Sequence, residues 1–125
     1  MTRLLIPVAL AAAFVAAPLS AQSQDAAPLS LEHRMLLRCA AGFAMVSRGQ
    51  DAGDASALAW PRQPEAYREF FVQASVRVMR ESGLDQQQVA GALQSEAQKL
   101  HDEGTLDQIM PVCLDLLPRA GSTRQ

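Results

Sequence analysis

Aromatic side chains and lysine are both scarce in this chain of 125 residues. It contains one Trp, one Tyr and four Phe, and Lys99 is its single lysine. The core is therefore expected to consist mainly of Leu, Val, Ala and Met. Its arginines are spread along the sequence, and acidic side chains outnumber basic ones by thirteen to eleven. This balance excludes the clustered positive charge typical of proteins that bind nucleic acid.

The motifs of the common enzyme classes are missing as well. The sequence has no Gly-x-Ser-x-Gly turn, no His-Glu-x-x-His helix and no phosphate-binding Gly loop. Its two histidines, His33 and His101, offer little material for a catalytic triad or a metal site. His33 and Cys39 are six residues apart, which does not place them on one helix face. We therefore expect no catalytic residues, no metal site and no cofactor.

The N-terminus has the features of an export signal. A short cationic start at Arg3 precedes an apolar run over residues 4–17, and Ala21 follows the helix breaker Pro18. As a helix the run would be only about 21 Å long, against roughly 30 Å of hydrocarbon in a bilayer. The sequence predicts a signal peptide over 1–21, cleaved after Ala21. The mature chain is then expected to be periplasmic or secreted, without stable membrane insertion.

Only two cysteines, Cys39 and Cys113, follow this signal. Export into an oxidising compartment favours a disulfide between them, which would close a loop of about 75 residues and stabilise the fold by roughly 4.5 kcal/mol. Two buried free thiols are the alternative. A redox-active pair is a third interpretation, although neither cysteine lies in a Cys-x-x-Cys motif.

Apolar residues at helical spacing predict an all-α, four-helix bundle-like domain over 30–118, between a disordered linker at 22–29 and a disordered tail at 119–125. The first helix follows the N-cap Ser30 and is expected to end at Gly49. A loop over 50–56 and a short lid over 57–60 come next. Three further helices are predicted, over 64–82, 86–103 and 106–117, and Pro111 should kink or restart the last one.

The junction at Gly83 carries the most specific local pattern. With Gly83 just beyond a helix end, Leu84 is placed to contact Met79 as in a Schellman motif. Asp85 and Gln88 form a capping-box pattern for the next helix, and Leu84 would also meet Val89 as a hydrophobic staple. So short a connection predicts an antiparallel helical hairpin.

Aromatic residues are concentrated around the loop that precedes the helix beginning at Pro64. Trp60 and Tyr67 either complete the core or form part of a partner surface, for which Arg62 and Arg68 would supply a polar rim. The sequence therefore yields one candidate site for a partner, made up of Trp60, Arg62, Tyr67 and Arg68.

In size, export and one long-range disulfide, the chain resembles the small periplasmic acid-stress chaperones of the HdeA type. The resemblance is one of architecture and no sequence motif carries it. The leading hypothesis is a non-enzymatic accessory or interaction protein with an unidentified protein partner in the cell envelope. A small-ligand or metal-handling periplasmic protein is the alternative. A third hypothesis is a helical-bundle enzyme whose active site the sequence does not reveal.

Overall fold

The computed structural model describes residues 29–118 and contains helices but no strand within that range. The helices are α1 (Leu31–Ala52), α2 (Ala55–Leu58), α3 (Pro64–Ser82), α4 (Gln86–Glu103) and α5 (Leu106–Asp115). The predicted all-α fold with one long-range disulfide is thereby confirmed. The predicted signal peptide over 1–21, the linker residues 22–28 and the tail over 119–125 lie outside the described residues.

Helix α1 is the centre of the domain and contacts each of the other four helices. This position explains why its sequence is apolar on nearly every side. Two clusters of buried side chains form along it. The aromatic core consists of Cys39, Phe43, Val46, Tyr67, Met110, Cys113 and Leu117, and the aliphatic core consists of Leu37, Val78 and Val89. Leu29, assigned to the linker by the sequence, packs against the aliphatic core.

The predicted end of α1 at Gly49 is wrong, because the helix continues to Ala52 and ends at Gly53. Gly53 has a positive φ of 77°, and the amides of Gly53 and Asp54 donate to the carbonyls of Gln50 and Gly49. These two bonds are the Schellman pattern. Gly49 is instead required for close packing, since a Cβ there would lie 2.6 Å from the Cβ of Ala57.

The hairpin between α3 and α4 forms as predicted, with one correction. Asp85 and Gln88 make both hydrogen bonds of the capping box. At Gly83, however, a single bond from its amide to the Met79 carbonyl ends α3. This is the simpler αL motif rather than the predicted Schellman motif. Leu84 packs against the aliphatic core, as the staple requires.

Helix α5 passes through Pro111 without a break, so the predicted restart there does not occur. Cys113 on α5 bonds to Cys39 on α1, with 5.3 Å between the two Cα atoms. Both cysteines are fully buried in the aromatic core. The disulfide therefore joins the first helix to the last inside the core, and the alternative of two free thiols is wrong.

None of the helices within 29–118 combines the length and the apolar character that crossing a bilayer requires.

Candidate functional site

A single side chain, Gln50 of α1, organises the connection between α1 and α3. Its Nε2 donates to the carbonyl oxygens of Ala57, Trp60 and Pro61 at 3.0–3.3 Å. Gln50 is itself buried, and its amide pairs with three backbone carbonyls, of which that of Ala57 belongs to a buried residue. The connection over 57–61 is thus fixed to α1. The sequence predicts a loop at Gln50, and this prediction is wrong. No residue near Gln50 in the sequence indicates that its side chain binds the segment 57–61.

Tyr67 belongs to the core. Its ring stacks on Phe43 with centroids 4.6 Å apart and planes 11° from parallel, and only 1% of the residue is exposed. Its hydroxyl donates to the Pro61 carbonyl at 2.6 Å, and burial raises the pKa of this hydroxyl. Of the two interpretations of Tyr67, the structure therefore matches core packing. A partner that approaches this region meets the backbone and side chains around Tyr67, not an exposed ring.

Trp60 takes an intermediate position. It is half-buried and packs against the aromatic core, while its carbonyl accepts the bond from Gln50. Arg62 and Arg68 are exposed on either side of the start of α3. The four residues named by the sequence therefore separate into one core residue, one half-buried ring and two exposed cations.

A cleft of about 310 Å³ lies between the C-terminal half of α1 and the N-terminal half of α3. Three aromatic residues border it, of which Phe71 is partly exposed while Phe43 and Tyr67 are buried at its base. Arg62 and Arg68 contribute two positive charges. The remaining lining residues are Ala44, Ser47, Gln50, Asp51 and Pro64. Trp60 is not among the lining residues, so the cleft and the half-buried indole are neighbouring features.

The charge of the cleft favours an anion. Asp51 lies 3.5 Å from Arg62, measured from Oδ1 to Nη2, and both side chains are largely exposed. Arg68 adds a second guanidinium, so the lining carries two cations and one carboxylate. Guanidinium groups pair with carboxylates in a bidentate geometry, while the aromatic lining suits an apolar group beside that anion. The arrangement fits a molecule or segment with both features.

The cleft contains no histidine, cysteine or lysine, and its polar side chains are Ser47, Gln50, Asp51, the two arginines and Tyr67, whose hydroxyl is bound to the Pro61 carbonyl. Ser47 therefore has no imidazole or amine in this lining that would act as its base. Within residues 29–118, no group of three or more His, Cys, Asp or Glu side chains is placed to hold a metal ion.

A scan of protein-family models, a search of curated proteins and a search of solved structures each find no match to this chain.

Proposed function

We propose that this chain is an exported, non-enzymatic interaction protein that binds an envelope partner at the cleft between α1 and α3. The observation that carries the proposal is the pairing of two exposed guanidinium groups, Arg62 and Arg68, with the partly exposed ring of Phe71 in the same lining. Aromatic and arginine side chains contribute disproportionately to the binding energy of protein interfaces. Two of the four residues indicated by the sequence are thus available on the surface.

The cleft is also held in shape before any partner arrives. The hydrogen bonds of Gln50 and of the Tyr67 hydroxyl both end on the segment 57–61, just before Arg62. Pro61 and Pro64 restrict the backbone on either side of Arg62. A preformed site loses less conformational entropy on binding than a flexible one, which favours affinity.

A matched pair of charge reversals tests the proposal. Arg68→Glu alters the cleft, whereas Arg34→Glu alters an exposed arginine near the start of α1. Wild type and both variants would be used to capture proteins from a native envelope extract, with circular dichroism as the folding control. The expected result is a protein captured by wild type and Arg34→Glu but lost with Arg68→Glu. Equal capture by all three would contradict binding at the cleft.

A small anionic ligand with an apolar body is the second candidate, favoured by the volume of the cleft, which lies at the lower end for small-molecule sites. An aromatic sulfonate such as 1-anilinonaphthalene-8-sulfonate provides a direct probe. Saturable binding that Arg68→Glu abolishes and Arg34→Glu preserves would support it. If the probe does not bind while the protein partner does, the protein-binding hypothesis is favoured.

Export is the remaining part of the proposal. The buried disulfide supports it, because disulfides persist in oxidising compartments. The apolar run over 4–17 and the small residue Ala21 predict cleavage that leaves Gln22 as the mature N-terminus. Intact-mass measurement on the protein recovered from a cell's periplasm or medium tests this. A mature species that retains residues 1–21 would overturn it.

A further inference from the structure

The outward face of α3 carries exposed apolar residues at its centre. Glu65, Glu69, Val72, Val76 and Arg80 follow one another at intervals of three or four residues, which places them on one side of the helix. The buried residues of α3 lie on the opposite side. Val72 is 51% exposed and Val76 is 40% exposed, although valine is more often buried.

An open groove borders this face. Its volume is about 920 Å³, and its lining also includes Leu36 of α1 and, just after the end of α5, Leu116 and Pro118. Leu116 is 47% exposed, so the apolar surface extends from α3 across to the last turn of the described chain. Among residues 29–118, no helix covers the groove. A groove lined by both apolar and charged side chains can accept an amphipathic helix.

The charges on the same helix determine which helix fits. Of the charged residues of α3 that line the groove, Glu65 and Glu69 lie in its N-terminal half, and Arg77 and Arg80 lie in its C-terminal half. Glu81 also lines the C-terminal half, but its carboxylate is bound by His33 and Arg77 of the same chain. An antiparallel copy of α3 would therefore set acidic residues against basic ones at both ends, whereas a parallel copy would set like charges together. The groove thus presents a surface whose electrostatic complement is α3 itself.

We propose that two copies of this chain associate through α3, paired antiparallel about a twofold axis. In this arrangement Val72 lies opposite Val76 of the second copy. One residue corresponds to about 1.5 Å along a helix, so this register brings Glu69 to within about that axial distance of Arg80 on the other copy. Arg77 binds Glu32 and Glu81 of its own chain, so Arg80 is the principal cation for the contact. Glu69 already accepts a hydrogen bond from Gln73 of its own helix at 2.9 Å, and the contact with Arg80 of the other copy would share this carboxylate.

The twofold symmetry gives a specific test of this register. Glu69→Arg makes both Glu69–Arg80 contacts repulsive between cations, and Arg80→Glu makes both repulsive between anions. In a mixed dimer of the two variants, each contact joins opposite charges again. We therefore expect each variant alone to be monomeric and an equimolar mixture to dimerise, as measured by sedimentation velocity on the oxidised protein.

Wild type should dimerise with increasing concentration, and more weakly at high salt because the ion pairs are exposed. Val72→Glu should be monomeric because it places a charge at the apolar centre of the contact. Added to both Glu69→Arg and Arg80→Glu, it should also keep their equimolar mixture monomeric.

All substituted positions are exposed, and circular dichroism would verify that each variant is folded. Arg68→Glu, which alters the cleft on another face of α3, should leave the dimer intact and separates this proposal from the proposed function.

Three outcomes would overturn the pairing: wild type monomeric at every concentration, dimers of both single charge variants as strong as wild type, or a mixture that stays monomeric. A wild type that is monomeric at every concentration would favour a helix from a different protein as the occupant of the groove. The second would show that the charges do not determine the contact, and the third that Glu69 and Arg80 do not face each other.

Discussion

The guanidinium of Arg38 on α1 donates a hydrogen bond to the carboxylate of Glu96 on α4, with 3.3 Å between Nη1 and Oε2. Glu96 is 8% exposed, which is unusual for a glutamate. The other nitrogen of Arg38, Nη2, donates to Glu103 and to the hydroxyl of Thr105. One arginine therefore connects the central helix to the turn between α4 and α5.

Removal of Arg38 should destabilise the protein because Glu96 would remain buried without its main partner. We expect Arg38→Met to lower the free energy of unfolding by about 1–3 kcal/mol, as measured by urea denaturation. Lys99 approaches Glu96 at 3.6 Å from an exposed position and provides the control. Lys99→Met should change stability by no more than about 0.5 kcal/mol. Equal effects of the two substitutions would contradict the role assigned to Arg38.

Two glycines in helices should respond to alanine in opposite directions. At Gly49 a new Cβ would lie 2.6 Å from the Cβ of Ala57, so α2 must move, and we expect a loss of about 1–3 kcal/mol. At Gly91 a new Cβ meets nothing within 4 Å, and the helix should gain about 0.5–1 kcal/mol. Thermal unfolding of both variants checks this. A stabilised Gly49→Ala protein would mean that α2 does not pack so closely on α1.

The disulfide between Cys39 and Cys113 should contribute much of the stability of this small domain. We expect Cys113→Ser to lower the free energy of unfolding by about 2–5 kcal/mol, because the unfolded chain loses its long closed loop and the core loses a bond. Thiol counting on the unfolded, unreduced protein should detect no free cysteine. Two free thiols would contradict the bond, and an unchanged unfolding midpoint would contradict its energetic role.

Leu84 connects two helix ends through one side chain. It packs against the aliphatic core together with Met79, and Val89 forms part of that core. We expect Leu84→Ser to lower the free energy of unfolding by about 1–2 kcal/mol, since both ends lose an apolar contact. Leu58→Ser serves as the control, because Leu58 is 52% exposed, and should have little effect. A neutral Leu84→Ser variant would contradict the described junction.

Local signals explain which parts of this fold the sequence predicts well. The capping box at Asp85 and Gln88, the proline at the start of α3 and the glycine at its end are fixed by residues within one or two turns. The disulfide is predicted from the expected export signal and from the presence of only two cysteines in the sequence. These features need no knowledge of which helices contact one another.

Tertiary contacts explain the errors. A glycine such as Gly49 is typical of a helix end. In this fold, however, Gly49 is needed because Ala57 of α2 packs too closely for a Cβ at that position. Thr105 occupies the N-cap position of α5, yet its hydroxyl accepts a bond from Arg38, sixty-seven residues away, instead of capping the helix. Glu96 is buried because its carboxylate pairs with Arg38 of another helix, a contact that no local pattern indicates. For the candidate site, the sequence indicated the region and both arginines, but the cleft depends on Phe43 and Phe71, whose positions follow from helix packing.

The pair formed by His33 and Glu81 should make stability depend on pH on the acid side. Hydrogen bonds from His33 and Arg77, each at 2.8 Å, lower the pKa of the Glu81 carboxyl below its usual 4.5. A carboxyl with a lowered pKa in the folded state stabilises the fold above its ordinary pKa, and that contribution disappears as the pH falls through the lowered value.

We therefore expect the difference in unfolding free energy between wild type and Glu81→Gln to narrow as the pH falls below about 4.5. His33→Leu removes the leading donor and should make the pH dependence shallower, as followed by urea denaturation at a series of pH values. A difference between wild type and Glu81→Gln that stays constant down to complete protonation of the carboxyl would show that these bonds do not stabilise the charged form.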